Sequence, residues 1–275
     1  FTTTPQLIQQ TLKVAVNYPE VKFLNCSVNM AYRQLRTYYG RMYEAKFLCG
    51  MVAGAMTPND KIVCCEDFPI YGSYANINAF ALGAQMTNPR AKVYVHWLSD
   101  TTASLSQLME REEIRVVSYT DMIRLASKSR RFGLYMVEDG RTFQLAMPVW
   151  NWGKFYEKIV GDIQDGNWNR SVEARNFKAI NYWWGMASGV IDVKLSDRLP
   201  TGALTLAQVL REGIKNGTFD PFCRKIIDQQ GNVRNDGRSS LSPDELLYMD
   251  WLCDNVIGSK RSGQQHDHHC DNNGR

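Results

Sequence analysis

Short apolar runs alternate with stretches of helical periodicity along the first 150 residues. The runs predict strands, and the residues between them recur at the spacing of an amphipathic helix. The predicted strands are VKFLNC, KIVCCED, AKVYVHW, IRVVSY, FGLYMV and LAMPV, and the predicted helices are TPQLIQQTLKVAV, YYGRMYEAKFLCGMVAGAM, YANINAFALGAQMT and TTASLSQLMEREE. Alternation of this kind indicates a parallel sheet with helices on its faces. The pattern therefore predicts an α/β protein.

The opening stretch FTTTPQL has the chemistry of a helix start. A threonine run precedes Pro5, and a hydroxyl N-cap followed by proline in the first turn is typical of that position. We expect Phe1 to be the last residue of a strand, so that a strand-helix-strand unit is entered halfway.

The C-terminal third is less regular. SPDELLYMDWLCDNVIG predicts a helix with Ser242 as N-cap in a capping box and Gly258 past its end. TLAQVLREGIKNG predicts a second helix, capped by Thr205 and stopped by Gly217. Between them, FCRKIIDQQGNVRN predicts a hairpin that turns at Gln230-Gly231.

Composition narrows the class of protein without selecting a function. At 275 residues with 44% hydrophobic side chains, the chain is long enough for two lobes with separate cores. A net charge of +4 gives no support for a nucleic-acid partner. The sequence contains no run of eighteen apolar residues that would span a membrane.

Cysteine and histidine chemistry indicates neither a disulfide scaffold nor a metal site. The seven cysteines lack CxxC spacing, so we expect buried thiols, and the adjacent Cys64 and Cys65 point to opposite faces of a strand. The HDHHC stretch could bind a transition metal weakly, but a solvated polar tail is the favoured interpretation. His96 is expected to pack in the core, and we predict no cofactor and no metal.

Loop aromatics are the clearest candidate binding feature. In VWNWG, Trp150 and Trp152 flank Asn151 between a strand and a helix, which would offer a flat stacking face beside an amide. The alternative is that one tryptophan packs in the core and the other bridges two lobes. No nucleophile, P-loop or zinc-protease motif is present, so we do not expect an enzyme.

Four stretches carry a family resemblance: YEAKFLCGMVAGAMTPNDKI, NAFALGAQMTNPRAKVYVHW, MPVWNWGKFYEKI and NYWWGMASGVIDVKLSDRLP. From Phe1 to about Gly258 the chain resembles the basic membrane protein family of ABC-transporter substrate-binding lipoproteins, which includes the purine nucleoside receptors. The resemblance implies a type I periplasmic-binding-protein fold, with two α/β lobes, a hinge of crossing strands and a ligand cleft. It also implies two further strand-helix units before Phe1, present in a longer protein or supplied by another chain.

The resemblance places the lobes and the cleft. The expected divisions are 1–65 for a partial first lobe, 66–152 for the second lobe, 153–258 for returning helices, hinge strands and a C-terminal helix, and 259–275 for a polar tail. Ligands of open parallel sheets bind beyond the carboxyl ends of the strands. The predicted ligand contacts are Thr3, Thr4, Phe68, Tyr71, Asp121, Trp150, Asn151 and Trp152.

The resulting functional hypothesis is a non-enzymatic solute-binding protein. It would deliver a small polar or aromatic ligand, such as a nucleoside, to an ABC permease, and act outside the cytoplasm on a lipid anchor. The alternative is a ligand-sensing domain of a signalling or transcriptional regulator with the same fold. An enzyme would need a reactive constellation that the sequence does not show.

Overall fold

Two main sheets and a short hairpin form the strand framework. The computed structural model describes residues 1–27, 35–67, 72–100, 104–121, 132–168 and 182–258. The small sheet, in the order β1-β2-β8, contains β1 (Phe23–Asn25), β2 (Leu35–Gly40) and β8 (Tyr182–Trp184). The large sheet, in the order β12-β4-β3-β5-β6-β7-β9, contains β3 (Lys61–Glu66), β4 (Lys92–Trp97), β5 (Val116–Ser118), β6 (Leu134–Glu138), β7 (Arg141–Trp150), β9 (Ile191–Leu195) and β12 (Val256–Ile257). The hairpin pairs β10 (Lys225–Ile227) with β11 (Val233–Asp236).

Helices connect the strands, and the predicted α/β class is confirmed. The predicted helix YYGRMYEAKFLCGMVAGAM is wrong at its start, because residues 38–40 pair with β8 as the end of β2 and the helix begins only at Met42. The helices are α1 (Ile8–Asn17), α2 (Met42–Met56), α3 (Ser73–Thr87), α4 (Leu105–Arg111), α5 (Trp152–Gln164), α6 (Thr201–Asn216) and α7 (Pro243–Leu247). Ahead of α1, Thr2 forms a parallel bridge with Asn25, so the first residues run beside β1 as a further extended segment.

Strand directions bring several carboxyl ends to one edge of the large sheet. Strands β12, β4, β3 and β5 run parallel to one another. Strand β6 is antiparallel to both β5 and β7, so β7 runs in the same direction as β5. The residues that follow β3, β5 and β7 therefore share an edge, which is where an open α/β sheet binds ligands.

The chain passes between the two sheets at three places. After Gly40 it leaves β2 and enters α2, which packs against α3 beside the large sheet. After Trp150 it leaves β7 and enters α5, whose Phe155 ring lies 5.2 Å from Tyr38 of the small sheet. From β8 it returns through Gly185 to β9. Position 65 lies within β3, and the predicted lobe boundaries stay a prediction.

Close contact between α2 and α3 depends on glycine. A Cβ at Gly50 would overlap the backbone carbonyl of Phe80, and a Cβ at Gly83 would overlap the carbonyl of Phe47. The small residues of the two helices thus allow their backbones to approach closely. Backbone carbonyls cannot move aside as a flexible side chain can, so larger residues are excluded at these positions.

Two of the three C-terminal elements follow the sequence pattern. The hairpin turns at Gln230-Gly231 as predicted, and Gly217 ends α6 in the left-handed conformation at φ 75°. Helix α6, however, begins at Thr201, directly after Pro200, and not at Thr205. Proline has no N–H to donate, which suits the position before a first helical turn.

The predicted long helix after Ser242 is wrong in its extent. Its capping box is confirmed, with the Ser242 N–H donating to Glu245 Oε2 at 2.7 Å, but α7 ends at Leu247. The Asn78 side chain of α3 donates to the Trp251 carbonyl and accepts from the Cys253 N–H, both at 2.8 Å. These bonds use backbone groups of Trp251 and Cys253 that a continued helix would pair within itself, so the chain reaches β12 without helical structure.

Candidate functional site

The predicted ligand contacts fall into three groups. Thr3 is exposed, and the Thr4 carbonyl accepts hydrogen bonds from the Leu7 N–H and the Asn25 amide, each at 3.2 Å. Both threonines therefore lie at the N-terminal segment beside β1. Phe68 and Tyr71 lie outside the described residues. Asp121, Trp150, Asn151 and Trp152 follow the carboxyl ends of β5 and β7.

Asp121 belongs to a buried ionic cluster at this sheet edge. Lys46 of α2, whose side chain is 2% exposed, donates from Nζ to Asp121 Oδ1 at 2.7 Å. Glu66, the last residue of β3, places Oε1 at 4.0 Å from the same Nζ. One ammonium group thus faces two carboxylates, and we refer to these three residues as the ionic cluster.

The surroundings set the charge states of the ionic cluster. Burial alone would lower the pKa of Lys46, but the carboxylates of Asp121 and Glu66 raise it further, so the pKa lies above its usual range and the ammonium stays charged. Burial raises the pKa of Glu66 to about 7, against the opposing effect of Lys46. Within the described residues, no donor hydrogen-bonds the buried Oε1 of Glu66.

Tyr39 of β2 contacts the loop aromatics at the sheet edge that also holds the ionic cluster. Its ring meets the Trp150 ring edge to face at a centroid distance of 6.0 Å. Trp150 ends β7, at the edge where Glu66 ends β3 and Asp121 follows β5. Burial raises the pKa of Tyr39, and nearby negative charges, among them those of Glu66 and Asp121, add to that effect.

The VWNWG stretch forms one of the crossings between the sheets. The indoles of Trp150 and Trp152 stack in parallel, with centroids 4.8 Å apart and planes at 2°. Trp152 continues into the aromatic core of the small sheet, at 6.2 Å from Tyr38. The Asn151 amide donates to the Gly189 carbonyl at 2.8 Å. Trp152 and Asn151 thus hold the crossing together, whereas Trp150 also contacts Tyr39.

A shallow pocket opens on the other side of Tyr39, at the N-terminal end of α3. Its lining residues are Tyr39, Gly40, Met42, Tyr43, Gly72, Ala75, Asn76, Trp183, Leu246 and Leu247. The lining combines aromatic faces with the amide of Asn76 and the first turn of a helix, whose N–H groups favour acceptor atoms. The space between these side chains has room for about one water molecule.

Lys46, Glu66 and Tyr39 are site residues that the sequence analysis missed. Lys46 occurs within the otherwise apolar run EAKFLCGMVAGAM, and Glu66 ends the apolar run KIVCCE. A charged residue inside an apolar run needs a buried partner. That signal was present in the sequence, but the partner of Lys46 is 75 residues away and could not be identified from spacing.

Cysteines and histidine do not form a reactive centre in the described part of the chain. Six cysteines there are free, of which Cys223 is exposed and the others are buried, so the expected burial is wrong for Cys223 alone. His96 is buried as expected.

In the described ranges, no group of three or more His, Cys, Asp or Glu side chains could hold a metal ion. No helix in the same ranges is long and apolar enough to cross a membrane.

Comparison with known protein families bears on the functional hypothesis. Residues 1–123 match the family described as ABC transporter substrate-binding protein PnrA-like. The chain is 26% identical over 245 residues to a purine-binding protein, BAB2_0673, of Brucella abortus, covering 84% of this chain and 67% of that protein. It is 28% identical over 190 residues to a putative ABC transporter glucose-binding protein, TsgA13, of Haloferax volcanii, covering 64% of this chain and 46% of that protein. The predicted family resemblance is confirmed.

Solved structures show the same fold. A transcriptional activator of the comK gene from Bacillus halodurans superimposes with a TM-score of 0.60 at 15% identity, over 79% of this chain and 78% of that one. An ABC transporter solute-binding protein from Conexibacter woesei gives a TM-score of 0.50 at 13% identity, over 80% of this chain and 79% of that one. The predicted periplasmic-binding-protein fold is confirmed by these likenesses.

Proposed function

On the premise that residues 1–123 belong to the PnrA-like ABC transporter substrate-binding family, we propose that the chain is the solute-binding component of an ABC transporter. It captures a small planar solute with polar edges, a nucleobase or nucleoside, where the strands of the two sheets end. The observation that carries this proposal is the contact of Tyr39 with Trp150 at the sheet edge where Glu66 ends β3 and Asp121 follows β5.

The arrangement has the parts that a nucleoside needs. Aromatic faces such as Tyr39 and Trp150 stack on a base, while carboxylates such as Asp121 accept hydrogen bonds from the base edge or from ribose hydroxyls. Asn151 and Trp152 position Trp150 through the contacts described above. Thr3, Thr4, Phe68 and Tyr71 remain proposed contacts.

The names of two relatives support a nucleoside as the ligand class. One is named for purine binding and the other for glucose binding. A nucleoside combines a purine or pyrimidine ring with a sugar, so it shares a chemical group with each named ligand. The chain spans about two thirds of the first relative and less than half of the second, and the ligand is accordingly a proposal for this chain.

The partner that this function requires is an ABC permease. A protein of this family works outside the cytoplasm, and we propose a lipid anchor in the full protein. Binding without turnover is expected, because closure around a solute uses the site for recognition only. The regulator hypothesis is not favoured, since both curated relatives are named as binding proteins.

Isothermal titration against nucleobases, nucleosides and glucose tests the proposal. Loss of one stacking face is worth about 1 to 3 kcal/mol, so Trp150→Ala should weaken binding of the identified ligand roughly tenfold to hundredfold. Trp152→Ala is the matched comparison, because its indole packs into the core beside Tyr38 and its loss should mainly lower the melting temperature.

Two results would count against this site. If neither substitution weakens binding while both lower the melting temperature, Trp150 is structural and the ligand binds elsewhere. If no member of the panel binds the wild-type protein, the proposed ligand class is wrong.

A further inference from the structure

Glu66 is the member of the ionic cluster whose hydrogen-bonding capacity is unused. Its Oε1 is buried, and within the described residues it accepts no hydrogen bond. The nearest cation, Lys46 Nζ, is 4.0 Å away and already donates to Asp121 at 2.7 Å. Two carboxylates thus share one ammonium, which leaves Glu66 short of a donor.

Position brings this carboxylate to the rim of the proposed cleft, since the Glu66 side chain is 14% exposed although its Oε1 is buried. Glu66 ends β3, at the sheet edge where an open α/β sheet binds solutes. Trp150 ends β7 at the same edge, and its ring meets Tyr39. A planar ligand stacked on these aromatics would therefore present an edge to Glu66.

We propose that Glu66 is a specificity-determining residue, which selects planar ring ligands that carry an amino group over matched rings that carry a carbonyl at the same position. The proposal rests on the proposed function and names the class of base within it. An ionised carboxylate can only accept hydrogen bonds. An amino group supplies the missing donor, whereas a ring carbonyl would face Oε1 with a second acceptor.

Discrimination of this kind is strong because the unpaired group is buried. A site that is built to receive a donor rejects the analogue that lacks it, since the buried acceptor then stays unsatisfied. We expect a preference of roughly tenfold to hundredfold for the amino ligand, the range given by hydrogen bonds to charged groups.

Matched ligand pairs provide the test. Adenine is compared with hypoxanthine, and adenosine with inosine, by isothermal titration at pH 8, where a carboxyl with a pKa of about 7 is ionised. The wild type should prefer the amino member of the bound pair. Glu66→Gln should lose or reverse this preference, because its amide can donate to a carbonyl. The control is Asp67→Asn, which removes the same charge from the exposed neighbouring residue and should keep the preference.

The outcomes separate this proposal from the proposed function. If the wild type binds both members of a pair within about twofold, Glu66 does not select the ligand, although nucleobase binding stands. If Glu66→Gln retains the wild-type preference, or weakens both ligands equally, the role of Glu66 is structural and the proposal is overturned. If neither member of either pair binds the wild type, the proposed function itself fails. Retained inosine or hypoxanthine binding by Glu66→Gln, together with weakened binding of the amino member of the pair, supports the proposal and shows that the variant is folded.

Discussion

Glu66 and Glu44 are carboxyl groups that the fold buries close to the crossings between the sheets. Burial raises the pKa of each from 4.5 to about 7, although Glu44 accepts the Met186 N–H at 2.6 Å and faces Arg41. A folded-state pKa above the unfolded value favours the protonated form. Each group therefore contributes stability that is present below about pH 4.5 and is lost as the pH rises through 7.

Glu66→Gln should show this effect directly. The variant cannot ionise, so its free energy of unfolding relative to the wild type should rise by about 2 to 3 kcal/mol between pH 5 and pH 8. Burial lowers the pKa of His96 and makes an opposite contribution in this range, but it is common to both proteins and cancels. Urea unfolding at the two pH values measures the difference. A variant whose relative stability is unchanged, or falls, would show that the Glu66 carboxyl is not held in this environment.

Helices, strands and turns that depend on nearby residues could be predicted from the sequence, whereas features that depend on distant contacts could not. The six predicted strands, the α3 helix and the turn at Gly231 follow from periodicity and turn chemistry, because each depends on residues within a few positions. Strands β2, β8 and β9 were not predicted. The end of α7 could not be predicted in this way, because it depends on the side chain of Asn78, which is more than 170 residues away and hydrogen-bonds the backbone of Trp251 and Cys253. The same limit applies to the site: Asp121 was identified from its place after a strand, whereas its partner Lys46 depends on the tertiary fold.

Substitution of a helical glycine tests the close contact between α2 and α3, and a glycine in α5 provides the control. Gly50→Ala would drive a Cβ into the Phe80 carbonyl and should cost about 1 to 3 kcal/mol of stability. Gly161→Ala is the matched control in α5, where nothing lies within 4 Å of the added Cβ, and it should stabilise by roughly 0.5 to 1 kcal/mol. Thermal and urea unfolding of the two variants distinguish packing from helix propensity. Equal effects of the same sign would contradict the close approach of the two helices.

The whole molecule joins two sheets through three crossings, with aromatic and charged residues where the crossings meet the strand ends. Gly40 lies against the Trp150 ring, and Asn151 bonds to Gly189, so the crossings are packed against one another. This arrangement places Tyr39 and the ionic cluster beside the junction of the two sheets. Movement of one sheet relative to the other would open or close the site around a ligand, as solute capture requires.

A crystal structure with the ligand identified by titration provides the most direct test of the proposed site. We expect a planar solute at the carboxyl ends of β3, β5 and β7, stacked on Tyr39 or Trp150 and within hydrogen-bonding distance of Glu66 or Asp121. A ligand bound elsewhere, with the ionic cluster and the Tyr39–Trp150 contact unchanged and untouched, would contradict it.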